Sequence, residues 1–325
     1  MAPEASPQSA DVYLSLVVPL FNEELNVEAL HREIAQAMSG FDRPYEVIYV
    51  DDGSADGTFA QLARIHDSDS HVRVLSFRGN FGQAAALSAG FDHAKGEVIV
   101  PLDGDLQNDP ADIQRLVSKL SEGYDVVAGW RKNRQDPFLS RVLPSRIANW
   151  VIGKVTGVPL HDYGCTLKAY RASEVKRIPM FNEMHRFILL PAMAAWQGAT
   201  WCEEVVNHRS RKFGKSKYGI LKTFKVILDL IAVKFVGGYG TRPIYIFGAM
   251  SMLLMFGAFL SGAYVLYRKL AVGSAMVQNP ILLLTVLLVV LSALFLSLGL
   301  TAELVTRLHQ ESNSRPMYRI KEKLD

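Results

Sequence analysis

Val98 to Pro110 reads VIVPLDGDLQNDP, and the change of character inside it decides how the chain is organised. Val98-Ile99-Val100-Pro101-Leu102 is a short apolar run of the kind that forms a buried strand. It gives way at once to Asp103, Asp105, Gln107 and Asp109, with Gly104 between the first two acids. Two carboxylates this close resist joint ionisation unless something positive neutralises them. A hard divalent cation does so, since Mg²⁺ takes one or two carboxylates together with substrate phosphate oxygens. In open α/β sheets ligands gather outside the carboxyl ends of the strands, which is where this cluster falls. A solvated acidic turn is the alternative, because Asp and Gly are ordinary turn residues. The stretch alone leaves both readings open.

Upstream, Leu14–Pro19, Val47–Val50 and Val72–Phe77 read as three further strands, and Val126–Ala128 as one downstream. Helices are expected from Asn22, as N-cap, to about Met38, and from the turn Asp51-Asp52-Gly53-Ser54-Ala55-Asp56-Gly57-Thr58 to about His66. An Ala-rich helix follows Gly82, and another opens with Pro110 at its first position. Nearly continuous apolar strands alternating with helices indicate a doubly wound, mostly parallel sheet. No GxGxxG follows the first strand, which argues against a dinucleotide site. Polar, acid-bearing loops follow strands one, two and four instead, a nucleotide site of different design. Lys132–Leu143 is polar, basic and weakly periodic, which fits a mobile loop leading into a helix.

The 325 residues are 49% hydrophobic with a formal charge of +3, both unevenly spread. Ile244–Tyr267 and Ile281–Leu300 hold no Asp, Glu, Lys or Arg. Each covers roughly 30 Å or more as a helix, enough to cross a bilayer. Before them, Tyr218–Val236 sets Ile220, Leu221, Phe224, Ile227, Leu228 and Ile231 at helical spacing among lysines. That pattern predicts an amphipathic helix in the headgroup region, with a core-facing helix as the alternative. Basic residues crowd Arg211–Arg242 and the tail, whereas the linker between the spans has only Arg268 and Lys269. The positive-inside rule then puts the N-terminal domain and the tail in the cytoplasm. Cys165 and Cys202 are expected as thiols rather than a disulfide.

Further motifs are Val17-Val18-Pro19-Leu20-Phe21-Asn22-Glu23-Glu24, Val50-Asp51-Asp52-Gly53-Ser54, Arg78-Gly79-Asn80-Phe81-Gly82-Gln83, Asp162-Tyr163-Gly164-Cys165, Leu167-Lys168-Ala169-Tyr170-Arg171 and Phe213-Gly214-Lys215-Ser216-Lys217-Tyr218. With Leu102–Gln107, in this order and spacing, the chain resembles the family-2 glycosyltransferases of the GT-A fold. Within them it is similar to the polyprenyl-phosphate glycosyltransferases, which include bactoprenol glucosyl and aminoarabinosyl transferases and dolichol-phosphate mannose synthases. The likeness runs over about residues 14–320. It implies a leader 1–12, a GT-A catalytic domain 13–215 and an amphipathic juxtamembrane region 216–242. A transmembrane hairpin 243–303, with spans 244–267 and 281–302, and a cytoplasmic tail 304–325 complete the chain.

The resemblance also implies roles. Asp103 and Asp105 occupy the DxD positions and, with Gln107, would hold Mg²⁺ or Mn²⁺. Pro19, Glu23, Asp51 and Asp52 match positions that hold the base and ribose of the donor, and Asn80 and Asp103 complete the implied donor-binding set. Arg131, Arg141 and Ser145 would grip the acceptor phosphate, and Arg209, Lys215 and Lys217 would add diphosphate or lipid-phosphate contacts. Asp103, Asp105, Arg131, Arg141 and Asp162 make up the implied catalytic set. The residues alone leave alternatives: Arg141 as a surface arginine, Lys215 and Lys217 on anionic headgroups, Asp51–Asp52 as a capping turn, Asp162 as a brace near Cys165. Gly104 stands where close relatives often have Ala, with little consequence expected.

The implied activity is inverting transfer of a hexosyl unit to polyprenyl (undecaprenyl) phosphate at the cytoplasmic face of the inner membrane. UDP-glucose or a related UDP-hexose is the first donor and GDP-mannose the second. A homo-oligomer, a tetramer among its allowed states, is implied, and no nucleic-acid partner. Two rivals stand beside it. A processive polysaccharide synthase would need QxxRW, but Gln197-Gly198-Ala199-Thr200-Trp201 has Thr where the Arg should be. A non-catalytic nucleotide-sugar-binding membrane protein would have no need of Asp103 and Asp105.

Overall fold

A computed structural model describes residues 12–134, 142–176, 178, 191, 193–209, 244–272, 280–311 and 318–325. Most of the expected leader and the expected amphipathic helix Tyr218–Val236 lie outside the described residues. The chain divides into two compact units, Met1–Val233 with Pro316–Asp325, and Lys234–Arg315.

The first unit is built on β1 (Leu14–Leu20), β2 (Tyr45–Asp51), β3 (Val72–Phe77) and β4 (Val98–Pro101), all parallel, with β1 between β2 and β4. Alternate strand residues feed two cores, as the two-residue period of a strand requires. Leu14, Leu16, Val18, Val47 and Tyr49 pack with α1 (Val27–Met38), α2 (Thr58–Ser68) and α4 (Ile113–Ser121). Val17, Ile48 and Val50 pack with α3 (Gln83–His93), whose alanines bring it close to the sheet. A Cβ on Gly90 of α3 would collide with Val17.

A 3₁₀ turn, Pro110–Asp112, precedes α4, so the expected helical start at Pro110 holds with a tighter first turn. There follow β5 (Val126–Trp130), α5 (Leu143–Thr156), β6 (Lys168–Arg171), a short α6 (Ala172–Val175) and β7 (Trp201–Val205). Strand β6 lies antiparallel between β4 and β5, and β7 runs parallel to β5. The expected α/β sheet is therefore mixed on this flank.

Two local expectations are corrected. The first helix begins at Val27, not at Asn22. Asn22 has φ 53°, the left-handed region that Asn tolerates, and its side-chain oxygen accepts the Ala55 N–H at 2.9 Å. The region read as a tail from 304 to 325 is largely structured. Helix α8 (Pro280–Glu311) runs on past 303, and β8 (Ile320–Leu324) adds antiparallel to β3 at the sheet edge. Arg73 explains the attachment: 9% exposed, it is held by Glu46 and Asp325 at 2.7 Å each. Tyr318 also stacks on Phe77 with ring centroids 5.1 Å apart.

The second unit is an antiparallel pair, α7 (Ile244–Val272) and α8. Ser251 and Ser292 exchange hydroxyl-to-carbonyl hydrogen bonds of 2.9 Å, and Thr285 donates to Ser261 at 2.9 Å. Small and hydroxyl residues at the seam are what close helix pairing in lipid favours. Met252, Phe259, Leu270 and Leu283 face outward, 75%, 70%, 77% and 75% exposed. With mean hydropathies of 1.9 and 3.0, these helices carry the outer surface of membrane spans rather than of a soluble core.

Candidate active site

Because β1 to β4 are parallel, their carboxyl ends open on one side of the sheet. Val17 pairs with Pro101 and Leu20 with Asp51, so the register carries Pro19, Asp51 and Asp103 to one edge. The Leu102 N–H donates to the Val17 carbonyl at 2.9 Å, extending the ladder one residue past β4. Beyond it the chain alternates: Asp103, Asp105, Gln107 and Asp109 are half-buried, while Gly104, Leu106, Asn108 and Pro110 are buried. Leu106 manages this at φ 61°, an arrangement costing roughly 1–2 kcal/mol that its burial offsets. A Cβ on Gly104 would press on a methyl of buried Leu20 and touch the Pro19 carbonyl oxygen, so alanine there requires Leu20 to shift.

The acids after β2 divide their work. Asp51, 2% exposed, accepts the Ser54 N–H at 3.0 Å and the Ser76 hydroxyl at 2.9 Å. Asp52, 3% exposed, accepts the N–H groups of Phe81 at 2.7 Å and Gly82 at 2.9 Å. It therefore anchors the loop that starts α3. Burial pushes the Asp52 carboxyl up to about 6, against those two N–H bonds and helped by the Asp51 charge. The first residue of α3, Gln83, donates its side-chain amide to Asp103 at 2.9 Å. One acid thus orients another through a helix start. Gly53 makes the turn possible, since at φ 70° its Cβ would run into the Gly79 backbone.

Asp103 is pushed up to about 6 by burial first and by the Asp105 charge second, while a Thr166 hydrogen bond and the charges of Arg131 and Lys168 pull it down. Two carboxylates that resist joint ionisation are the donor set a hard cation relieves. Among the described residues no group of three or more His, Cys, Asp or Glu converges on a metal position. A cation on Asp103 and Asp105 would complete its shell from ligand oxygens and water, as Mg²⁺ does with phosphates.

The second feature is a cavity of about 1070 Å³ lined by Arg131, Lys132, Arg134, Ser145, Arg146 and Lys154, with Trp130, Trp150 and His161 on its walls. Strand β5 runs parallel to β4 through two antiparallel steps, so Arg131 leaves it on the same edge as the acids. Asp162 holds Arg131 with a two-point grip, Nε at 2.7 Å and Nη2 at 2.9 Å. Asp162 is 3% exposed; burial would raise its carboxyl, but the Arg131 charge holds it below the usual carboxylate range. Arg134 donates to Ser145 at 2.9 Å.

The structure thus brings Pro19, Asp51, Asp103, Asp105 and Gln107 to one edge, with Arg131, Ser145 and Asp162 beside them. Asn80 is exposed on the loop before α3, and Glu23 accepts the Asn26 side-chain N–H at 2.6 Å. Arg209 departs from its expected place on a phosphate: its guanidinium is engaged by Glu33 at 2.5 Å and Asp109 at 2.8 Å. It ties α1 to the acidic loop. Arg141, Lys215 and Lys217 lie outside the described residues. Gln83, Thr166 and Arg134 were given no role by sequence reasoning. Only the folded chain brings them to the acids, since none stands at a telling distance from the acids along the sequence.

Residues 15–183 match the model of the family described as Glycosyl transferase family 2. The chain is 41% identical over 314 residues to the dodecaprenyl-phosphate galacturonate synthase of Rhizobium johnstonii, covering 96% of this chain and 93% of that one. It is 33% identical over 307 residues to the undecaprenyl-phosphate 4-deoxy-4-formamido-L-arabinose transferase of Salmonella choleraesuis, covering 94% and 91%. Among solved structures, glucosyl-3-phosphoglycerate synthase from Mycobacterium tuberculosis, in complex with Mn²⁺ and UDP-glucose, superposes with a TM-score of 0.54 at 17% identity. That match covers 72% of this chain and 84% of the other, and shares the fold.

Proposed function

The chain belongs to glycosyl transferase family 2, and on that footing we propose that it moves a hexosyl unit from a nucleotide-diphosphate sugar to polyprenyl phosphate at the cytoplasmic membrane face. The observation that carries this reading is the meeting of opposite charges at Arg131. That residue lines the cationic cavity, and its charge lowers the carboxyl of Asp103 at the acidic strand end. Both named relatives act on polyprenyl phosphates, which supports that acceptor.

A phosphate monoester is already anionic near neutral pH, so its oxygen needs no general base. What the site supplies is position and charge. Arg131, pinned by Asp162, and Ser145 would hold the acceptor phosphate in line with the anomeric carbon. Asp103 and Asp105 would hold Mg²⁺ or Mn²⁺, which when bound offsets charge on the departing nucleoside diphosphate. A single displacement inverts the anomeric carbon, so an α-linked donor yields a β-linked lipid-phosphate sugar. The donor is a UDP-hexose, with UDP-galacturonate beside UDP-glucose in view of the nearer named relative, and GDP-mannose second.

The test uses the full chain in proteoliposomes with undecaprenyl phosphate, Mn²⁺ and radiolabelled UDP-glucose, UDP-galacturonate or GDP-mannose. Label is expected in the organic extract from at least one UDP-sugar and is abolished by EDTA. Asp105→Ala should lower the rate roughly 10²- to 10³-fold with an unchanged thermal midpoint. Near-normal turnover in that variant would remove the metal assignment. Label that stays aqueous with every donor, while UDP binds, would mark a binding protein.

A further inference from the structure

Between the ends of β2 and β3 lies a second cavity, of about 460 Å³, lined by Asp51, Ser54, Phe77, Arg78 and Lys321 among others. Its lining residues other than Lys321 come from β2, β3, the chain just after each and the first turn of α2. Lys321 comes from β8, which follows the second membrane helix in the chain. Strand β8 pairs Ile320 with Phe77 and Glu322 with Ser76, and the register shifts between Ser76 and Phe77. Lys321 is the residue left over in that bulge. Bulges re-aim a side chain away from the ordinary alternation of a strand and gather beside functional sites.

The charges around Lys321 are unequal. Lys323, two residues on, is paired with Asp325 at 2.7 Å. Among the described residues Lys321 has no carboxylate within ion-pair distance. It is exposed, lines a cavity with buried Asp51 in its wall, and shares that cavity with Arg78. The two hydrogen bonds accepted by Asp51 leave its carboxylate with lone pairs to spare.

We propose that Lys321, delivered by the C-terminal strand, is a binding residue for the nucleobase of the donor, and that the base is a uracil. This rests on the nucleotide-sugar reading above. Two cationic donors and a carboxylate acceptor lining one cavity match the groups of an edge that presents C=O, N–H and C=O. Guanine offers one C=O followed by two N–H groups, which sets a donor against one of the cations. Strand β8 is therefore part of the donor site, and the segment after the membrane hairpin reaches the nucleotide.

The experiment measures UDP and GDP binding to the full chain in lipid nanodiscs with Mn²⁺ by calorimetry. Lys321→Ala is expected to weaken UDP roughly tenfold, the scale of one hydrogen bond from a charged donor. Lys321→Arg should retain most of the affinity. Lys323→Ala, the same charge change on the same strand away from the cavity, should leave it unchanged. Thermal midpoints of all three should match the wild type, since both lysines are exposed. UDP affinity in Lys321→Ala within about twofold of wild type, or an equal loss in Lys323→Ala, overturns the inference and leaves the transferase reading intact. Tighter binding of GDP than UDP by the wild type overturns the base assignment. A wild-type chain that binds neither nucleotide overturns the donor reading itself.

Discussion

The two halves of the first unit's sheet end in opposite charges, and they are built by different means. On one half, β4, β1, β2 and β3 are parallel, and the loops after them supply Asp51, Asp52, Asp103 and Asp105. On the other, antiparallel β6 comes between β4 and β5, and the chain leaving β5 supplies Arg131, Lys132 and Arg134. On the acidic half burial first, and the neighbouring carboxylate after it, raises the carboxyls of Asp52 and Asp103. The cationic half is braced internally, with Arg131 locked to Asp162. One edge gathers carboxylates and the other guanidinium and ammonium groups. The acidic half keeps buried carboxyls short of counter-charge, whereas the cationic half carries its counter-charge within itself.

Breaking the brace should have the largest effect. Asp162→Ala leaves a buried guanidinium without its partner and should destabilise the chain by about 3–5 kcal/mol, read as a lower thermal midpoint. An unchanged midpoint would mean the cradle does not depend on that pair. The strain on the acidic half should appear as a pH slope. The Asp52 carboxyl is raised in the folded chain to about 6 from 3.8, so the folded state keeps this proton longer than the unfolded state. Its contribution to stability is complete below about pH 4 and is lost as pH rises through about 6, by at most about 3 kcal/mol. Asp52→Asn should flatten that part of the midpoint-versus-pH curve, and an unaltered slope would place the strain elsewhere.

A smaller effect sharpens the link between Asp52 and Asp103. Gln83→Ala removes one hydrogen bond to Asp103 and should weaken apparent Mn²⁺ affinity by up to about tenfold without changing the midpoint. The smallest concerns Gly104. Because a Cβ at buried Gly104 would press on the buried Leu20 methyl and touch the Pro19 carbonyl, Gly104→Ala should cost about 1 kcal/mol, read as a lower thermal midpoint. A larger loss would show that the acidic loop needs the glycine backbone.

The acidic half was legible because its features are local. Val98–Leu102 is an unbroken apolar run, and Asp103 and Asp105 follow within three residues. The cationic half was legible only as a basic stretch. Lys168–Arg171 begins and ends with cations, yet it forms a strand between β4 and β5, and the buried Lys168 ammonium donates to backbone carbonyls, including that of Tyr163 at 3.0 Å. Asn22 looked like a helix cap because its residue type is right, but the chain uses its tolerance for φ 53° to clasp the loop after β2.

The sequence by itself determined the strand–helix alternation, the acid-tipped fourth strand and the two lipid-facing helices. Each follows from periodicity or charge among neighbours in the chain. Only the tertiary structure decided that Asp52 would be a buried anchor, that Arg209 would be consumed by Glu33 and Asp109, and that Ile320–Leu324 would return to the sheet with Lys321 in its bulge. Those outcomes depend on which distant groups share one desolvated space. Burial and pairing energies arise from packing, which a pattern of adjacent residues does not encode.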